Sequence, residues 1–388
     1  MHTPKNTFQA GRVALIAAGH AIHDTYIAFL PTLLPVLIQT LSISRASAGL
    51  FSVFTQLPSL LQPFIGYVAD RVSLRWIVIL SPLVTCTLMS LVGVAPTYLL
   101  IALLLLGVGI SSASLHATGP VLAGKLSGET LGRGMSFWMV GGEVGRTLGP
   151  LVIAAVISSG GLSNTPWLIL GGAAISALLY VGLQNVHDHL PNPAQTLPWR
   201  AALRTMAPVL VPLTIIITFR AMLDSALTTY LPVFLTDEGA KLQWAGISLA
   251  LMEAAGVVGA LLSGSISDRI GRRVIFWFSI AAAPVFTVGF LLTAGALKIV
   301  MLLGMGFALL CITPAIMALV QESFPENRAL ANGLYMAASF VIRSGAIFLV
   351  GLGGDWVGLR TTLYLCAAVS LLALPFIPRL PQDRIRQA

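Results

Sequence analysis

The sequence predicts an all-α integral membrane protein, with twelve transmembrane helices arranged as two pseudo-symmetric six-helix bundles. Of the 388 residues, 56% are hydrophobic and only 9% are charged, against about 25% charged residues in a typical soluble domain. The apolar residues fall into twelve runs of about the 20 residues that a spanning helix needs. Motifs in the first six runs also recur, in the same order, in the last six.

The apolar runs are interpreted as helices because they are too long and too continuously apolar for barrel strands, and because lipid excludes irregular backbone. The first run has no convincing cleavage site and eleven more follow it, so we expect it to be retained as a helix. In order, the predicted spans are 10–39, 46–68, 75–94, 97–123, 132–158, 164–185, 206–235, 242–266, 273–294, 298–320, 329–352 and 359–378.

The longest polar interval follows the sixth run and divides the chain. We predict an N-terminal six-helix bundle at 1–187, a cytoplasmic linker at 188–203 and a C-terminal six-helix bundle at 204–388. In many transporters, internal repetition of this kind places a solute site at the membrane midplane between the two halves.

Four pairs of motifs carry the repeat. They are Gly66-x-x-x-Asp70-Arg71 with Gly264-x-x-x-Asp268-Arg269, His20-x-x-x-Asp24 with Arg220-x-x-x-Asp224, Gly107-x-Gly109 with Gly304-x-Gly306, and Arg146 with Arg343. All four pairs have offsets of 197 to 200 positions. Their common order indicates that the two halves share one fold.

The formal net charge of +8 does not indicate a nucleic-acid partner, because the basic residues form no stripe with interleaved aromatic residues. If the N-terminus is inside, most Lys and Arg residues of the loops lie on the cytoplasmic side, as the positive-inside rule requires. We therefore predict a bacterial cytoplasmic (inner) membrane protein with both termini cytoplasmic and the lipid bilayer as its surroundings. We also expect it to be a monomer.

The sequence contains no signal for catalysis. It has no nucleotide-binding Gly-rich loop with a Lys, no metal-spaced His and Cys cluster and no nucleophile motif. Cys86, Cys311 and Cys366 lie within apolar runs and are interpreted as small buried hydrophobic residues. No enzyme activity, cofactor or metal is predicted.

Several charged residues fall near the middle of predicted spans, where an ionised side chain is costly. They are Asp24, Glu143, Arg146, Arg220, Asp224, Glu253 and Arg343. His20 with Asp24, Arg220 with Asp224, and Glu143 with Arg146 are three or four positions apart, so each pair can interact on one helix face. We expect these groups either to close structural ion pairs or to face a solute cavity.

Four of these residues are acids and three are arginines, so one carboxylate lacks a permanent cationic partner unless a histidine supplies one. Burial disfavours the ionised form of such a carboxylate, which makes it a candidate for proton coupling. Asp24 is the first candidate, because His20 and His23 beside it titrate near neutral pH. Glu253 is the second candidate.

The remaining midplane residues are candidates for contact with the solute. Arg146 and Arg343 hold equivalent positions in the two halves and can converge on an anionic group as bidentate donors. Alternatively, Glu143 neutralises Arg146 and leaves Arg343 as the better contact. Further candidates for the substrate cavity are Arg220, Asp224 and His116, which stands alone in the fourth predicted span.

The stretch Gly264-Ser-Ile-Ser-Asp268-Arg269-Ile-Gly271-Arg272-Arg273 resembles the loop motif of the major facilitator superfamily, and residues 66–75 form a partial copy. With the twelve spans and the repeat, the resemblance covers the whole chain. It implies transport by alternating access, with the loop carboxylates latching the cytoplasmic side instead of touching solute. The implied gating residues are Gly66, Asp70, Arg71, Gly264, Asp268, Arg269, Gly271, Arg272 and Arg273.

A narrower resemblance is to the fosmidomycin resistance group of drug exporters. It rests on the stretches from His20 to Asp24, Leu60 to Tyr67 and Gly141 to Pro150. The chain departs from that group at Glu143 and Arg146, and at Ala117-Thr118 after His116, so the drug is not carried over. The glycines around Gly149-Pro150 are interpreted either as an exporter motif or as small residues that allow close helix packing.

These observations lead to one functional hypothesis and two alternatives. The hypothesis is a proton-coupled exporter (antiporter) of small amphipathic or anionic toxic compounds, with protons and a small-molecule substrate as partners. The alternatives are proton-coupled uptake of a small metabolite and a membrane sensor that does not transport. Costly charges at the midplane and two gating loops argue against the sensor, because a static protein could replace those groups with apolar ones.

Overall fold

The computed structural model describes residues 8–61, 74–128, 131–186, 199–324 and 328–381, and every regular element within them is helical. The first half contains α1 (Ala10–Ile27), α2 (Phe29–Leu41), α3 (Arg45–Gln56), α4 (Leu74–Val92), α5 (Tyr98–Leu126), α6 (Leu131–Gly160) and α7 (Ile169–Leu183). The second half contains α8 (Trp199–Asp237), α9 (Leu242–Ile270), α10 (Arg272–Leu292), α11 (Gly295–Leu310), α12 (Ile312–Ser323), α13 (Arg328–Val357) and α14 (Leu359–Leu371). Short 3₁₀ segments lie at Leu57–Leu61, Leu162–Leu168 and Leu374–Arg379.

Two of the predicted spans are broken in the middle, and a proline explains each break. Pro31 has no N–H to donate to the carbonyl of Ile27, where α1 ends, and Pro314 has none to donate to Leu310, where α11 ends. Proline removes one backbone hydrogen bond and clashes with the preceding turn. Each span therefore continues as two shorter helices.

The described residues contain eleven helical stretches that are long and apolar enough to cross a membrane, and they match eleven of the predicted spans. The remaining predicted span, 46–68, begins as α3 and the 3₁₀ segment Leu57–Leu61 and then leaves the described residues. The predicted all-α membrane fold is confirmed. Most of the predicted linker 188–203 lies outside the described residues.

The chain forms two compact units. Unit 1 comprises residues 1–41, 51–192 and 241–250, and unit 2 comprises 42–50, 193–240 and 251–388. The core of unit 1 is apolar side chains from α1, α4, α5, α6 and α7, among them Ile16, Leu122 and Leu179. In unit 2, side chains such as Phe276 and Ile312 form a core between α8, α10, α12 and the C-terminal 3₁₀ segment.

Segment 42–50 is held in unit 2 by polar contacts at the start of α3. The carboxylate of Asp355 accepts hydrogen bonds from the backbone N–H groups of Arg45 (2.8 Å) and Ala46 (3.0 Å). The Arg45 guanidinium also pairs with Asp237 at 2.6 Å. Asp355 thus satisfies two of the amides that the first turn of a helix leaves without partners.

The predicted repeat recurs in the contacts of the two units. A Cβ built on Gly109 would lie 2.5 Å from the carbonyl oxygen of Thr55, and one built on Gly306 would lie 2.0 Å from that of Met252. Gly306 follows Gly109 by 197 positions, and Met252 follows Thr55 by the same number. In each half, therefore, the same glycine allows the same close approach of two spans.

The three cysteines are buried and unbonded, as expected from their apolar surroundings. Cys86 lies in α4, Cys366 lies in α14, and Cys311 lies at the junction of α11 and α12.

Candidate functional site

The packing of α1 against α6 positions the predicted coupling residues of unit 1. Three glycines at four-residue spacing on α6 face the main chain of α1. A Cβ built on Gly145 would lie 2.3 Å from the carbonyl oxygen of Ala21, and those on Gly141 and Gly149 would each lie 2.4 Å from another α1 carbonyl. These contacts support the interpretation that the small residues of this motif allow close helix packing.

His20 is fixed by one face of its ring and by both ring nitrogens. Its Nδ1 lies 2.9 Å from the carbonyl oxygen of Trp138, and its ring stacks on the Trp138 indole with centroids 3.7 Å apart. Its Nε2 lies 3.3 Å from the Asp24 carboxylate and 3.3 Å from Nε2 of His116. The i,i+4 contact between His20 and Asp24 that the sequence predicts is therefore present.

His116 completes this group from α5. Its Nδ1 lies 2.9 Å from the carbonyl oxygen of Ser112, and its Nε2 lies 3.7 Å from Asp24. Asp24 and His20 are buried, while the His116 side chain is 35% exposed. We call Asp24, His20 and His116 the Asp24 cluster.

The hydrogen bonds of the two rings determine their tautomers. A carbonyl oxygen can only accept, so the hydrogen of each neutral ring resides on Nδ1, and each Nε2 presents a lone pair. Two lone pairs and a carboxylate then meet with no hydrogen between them. Such an arrangement attracts a cation into the Asp24 cluster.

A proton or a metal ion can fill this position. The three ligand atoms lie within 4.8 Å of one another, and imidazole nitrogens held through the other ring N–H by a carbonyl are typical of metal ligands. The same residues could therefore hold a divalent transition metal ion, although the sequence predicts no metal site. This group depends on the meeting of α1, which carries His20 and Asp24, with α5, which carries His116, and no local pattern shows that contact.

His23 lies beside the Asp24 cluster but is not part of its hydrogen bonding. Its side chain is fully buried, and its ring centroid lies 5.9 Å from that of His116. Neither ring nitrogen has a hydrogen-bond partner within the described residues. His23 therefore contributes to the surroundings of the cluster without contacting the Asp24 carboxylate through a hydrogen bond.

Glu143 and Arg146 form an ion pair on α6. The Glu143 side chain is 17% exposed and that of Arg146 is 49% exposed. This geometry corresponds to the alternative in which Glu143 neutralises Arg146. The predicted convergence of Arg146 and Arg343 on one solute stays a prediction.

A second polar group lies within unit 2, where α8 meets α13. Nη1 of Arg343 lies 2.5 Å from Oδ2 of Asp224, and Nη2 of Arg220 lies 3.5 Å from Oδ1 of the same carboxylate. Arg343 also donates to Oγ1 of Thr228 at 2.8 Å. We call Arg220, Asp224 and Arg343 the Asp224 cluster.

The other predicted site residues lie elsewhere in unit 2 or outside the described residues. Glu253 is half-buried on α9. Gly271 has a φ of 99° at the junction of α9 and α10, and this left-handed conformation favours glycine. Arg272 donates to Ser267, and Arg273 donates to the carbonyls of Pro378 and Leu380.

Part of the predicted gating machinery is not described by the structure. Gly66, Asp70 and Arg71 lie outside the described residues, and of Gly264 and Asp268 only the backbone is described. Arg269 is exposed at the end of α9. The latching role of the two loop carboxylates therefore stays a prediction.

The eleven spans of the described residues define a polytopic membrane protein. The chain belongs to the Major Facilitator Superfamily, whose family model matches residues 16–346. Members of this family move small molecules across a membrane. The chain is accordingly a multi-pass transport protein and not an enzyme, and the predicted family is confirmed.

Comparison with individual proteins agrees with this assignment. The fosmidomycin resistance protein of Escherichia coli (strain K12) is 26% identical, over 98% of this chain and 95% of its own. The probable sulfoacetate transporter SauU of Cupriavidus necator is 24% identical, over 73% of this chain and 72% of its own.

Solved structures of two transporters share the fold. A bacterial homologue of the human lysosomal transporter Spinster superposes with a TM-score of 0.79 at 16% identity, covering 97% of both chains. The nucleoside transporter NupG superposes with a TM-score of 0.72 at 17% identity, covering 95% of this chain and 98% of its own.

Proposed function

We propose that this protein is a proton-coupled antiporter that exports small amphipathic or anionic toxic compounds by alternating access. The observation that carries the proposal is the meeting of three acceptor atoms in the Asp24 cluster, inside membrane spans. One proton shared among them relieves their mutual repulsion. A helix movement that changes these short distances changes how firmly the proton is held, and coupling requires such a change.

Within this proposal Asp24 carries the proton, and His20 and His116 share it. His23 is proposed to influence the proton as a buried neighbour of His116, without binding it directly. Glu253 is the second candidate for the coupling carboxylate, because it also lies within a predicted span and is half-buried. Asp70 and Asp268 are proposed to latch the cytoplasmic side of the transporter.

The proposed direction of transport is supported by similarity to a protein named for fosmidomycin resistance. Export of a toxic compound is the simplest way for a transporter to confer resistance. The distribution of Lys and Arg supports a place in the bacterial cytoplasmic membrane with both termini cytoplasmic. We propose that the working unit is a single chain.

The test is to reconstitute the protein in proteoliposomes and to impose a pH gradient. A pH-sensitive dye in the lumen reports proton movement while a panel of amphipathic anions, cations and neutral compounds is added. We expect a transported compound to drive protons in the direction opposite to its own movement. Proton movement in the same direction as the solute would indicate uptake by symport, and no solute-linked proton movement would overturn the coupling.

The first prediction concerns Asp24→Asn. The amide keeps the size of the side chain but cannot take up and release a proton at neutral pH, so we expect pH-driven flux to fall to background. Exchange of labelled solute without a pH gradient should persist. Glu238→Gln is the matched control, since it neutralises an exposed carboxylate paired with Arg360 and should leave flux unchanged.

Two outcomes would contradict this assignment. Full pH-driven flux in Asp24→Asn would show that another carboxylate carries the proton. The same measurement on Glu253→Gln would then test the second candidate. Flux that requires added Zn²⁺ and is abolished by a chelator would mean that the Asp24 cluster holds a metal ion and not a proton.

A further inference from the structure

The Asp224 cluster contains more positive than negative charge. Arg220 and Arg343 are both permanently protonated, and Asp224 is the carboxylate within ion-pair distance of each of them in the described part of the chain. One arginine is enough to balance the charge of the single Asp224 carboxylate in a structural ion pair. The second guanidinium leaves the cluster with an excess positive charge in a span, where such a charge is costly.

The two arginines are not equally placed. The Arg220 side chain is 14% exposed, and it is held by a hydrogen bond of 2.5 Å to the carbonyl oxygen of Leu309. The Arg343 side chain is 33% exposed, more than twice the exposed fraction of Arg220. Arg220 is therefore the fixed member of the pair and Arg343 the accessible one.

Donors remain for a ligand in this cluster. Nε of Arg220 is buried and has no hydrogen-bond partner within the described residues. Arg343 has five N–H donors, and its hydrogen bonds to Asp224 and Thr228 engage only its two terminal nitrogens. The cluster thus has positive charge and unused donors but only one acceptor carboxylate.

Spacing along α8 places the polar residues of this cluster on one face of that helix. Arg220, Asp224 and Thr228 follow one another at four-residue intervals on α8, and such residues lie on a common helix face. Tyr335 lies eight residues before Arg343 on α13 and is half-buried. An aromatic side chain on the same helix as a cationic group suits a solute with an apolar body and an anionic end.

Resting on the proposed transport function, we infer that Arg220 and Arg343 bind the oxyanion head group of the solute and that Asp224 is the resident counter-ion that this group displaces. The head group is a carboxylate, phosphonate or sulfonate, because a guanidinium donates two parallel hydrogen bonds to such groups. Asp224 and the solute then compete for Arg343. This competition distinguishes the inference from a structural triad.

The test measures equilibrium binding to the purified full-length protein in detergent, with no pH gradient. Benzoate and phenylphosphonate are the anionic probes, and benzamide and benzylammonium are the neutral and cationic comparators of similar size. We expect the wild-type protein to bind the anions saturably and the comparators at least tenfold more weakly. Equal binding of benzoate and benzamide, or no saturable binding of either anion, would overturn the inference.

Variants then test the roles of the three side chains. Arg343→Ala should weaken anion binding at least tenfold, and Arg343→Lys should also weaken it, because lysine keeps the charge but lacks the planar donor pair. Asp224→Asn should strengthen anion binding, because the competing carboxylate has been removed. Arg360→Gln, which removes an arginine from the exposed pair with Glu238, is the control.

A purely structural triad gives the opposite result for Asp224→Asn. That variant would then be less stable and would bind the anion no better than the wild type, which overturns the inference. If Asp224→Asn is unstable when purified, its thermal midpoint is measured against benzoate concentration, and the inference requires a larger anion-dependent rise than in the wild type. Because no proton gradient is used, loss of coupling in the flux assay does not affect this result.

Discussion

His116 shows how one side chain gains a role from its neighbours. In the sequence it stands alone in a predicted span, and only its position made it a candidate for the cavity. In the structure its Nε2 faces both Asp24 and His20. The ring is oriented by its own helix, through the carbonyl of Ser112 four residues earlier.

We therefore predict that His116→Gln impairs coupling without unfolding the protein. Glutamine removes the ring nitrogen that shares the proton but keeps a polar side chain of similar reach. We expect pH-driven flux to fall at least tenfold while the thermal midpoint changes by only a few degrees. Both are measured on the same reconstituted preparations.

Ser112→Ala is the control for this prediction. It removes only the weaker hydroxyl contact to His116 at 3.4 Å, and it keeps the backbone carbonyl that orients the ring. Its flux should match the wild type. If His116→Gln transports as well as Ser112→Ala, the proton is not shared with α5.

At the scale of elements, the approach of α1 and α6 determines whether the Asp24 cluster can form. Gly142, which follows Gly141 on α6, faces the Asp24 cluster, since a Cβ built there would lie 2.7 Å from the His20 ring and 3.1 Å from the Asp24 carboxylate. The α6 backbone also supplies the Trp138 carbonyl that fixes His20. A small separation of the two helices would thus loosen the site.

We predict that Gly145→Ala destabilises the protein and weakens coupling together. The added methyl would lie 2.3 Å from the Ala21 carbonyl oxygen and 2.9 Å from Cβ of Asp24, and backbone atoms cannot give way by a rotamer change. Overpacking of this kind costs about 1–3 kcal/mol. Thermal unfolding in detergent and pH-driven flux are the two measurements.

Gly11→Ala on α1 is the matched control, because nothing lies within 4 Å of a Cβ built there. Gly11 is exposed in the first turn of α1, where alanine is no worse a helix former than glycine, so this variant should be at least as stable as the wild type. Equal thermal midpoints for Gly145→Ala and Gly11→Ala would show that α1 and α6 can separate at no cost.

At the scale of the whole molecule, the repeat predicts that the two halves respond alike to equivalent changes. Gly109→Ala and Gly306→Ala each place a methyl within 2.5 Å of a backbone carbonyl oxygen at equivalent contacts. We expect each variant to lower the free energy of unfolding by about 1–3 kcal/mol, and therefore to lower the thermal midpoint. Gly345→Ala, with nothing within 4 Å of its Cβ, should have no such effect.

A clear difference between the two variants would contradict this prediction. If only Gly109→Ala were destabilising, the contact of Gly306 with Met252 in unit 2 would have to relax in a way that its counterpart in unit 1 cannot. The repeat would then be a similarity of sequence and backbone without equivalent packing.

Much of this protein could be predicted from its amino-acid sequence by itself. The membrane fold, eleven of the twelve predicted spans and the superfamily follow from apolar runs and from a loop motif, because the bilayer imposes helices of defined length. Pairs on one helix, such as His20 with Asp24 and Glu143 with Arg146, were also predicted correctly. Their geometry depends only on the helical repeat.

Only the tertiary structure determined which helices bring their polar residues together. His116 joins Asp24 from another helix, Trp138 stacks on His20, and Arg343 shares the Asp224 carboxylate with Arg220. Spacing along a chain does not reveal such contacts, since they depend on the relative rotation and approach of packed helices. For α1 and α6, the glycines Gly141, Gly145 and Gly149 allow that approach, and their packing partners on α1 are visible only in the folded molecule.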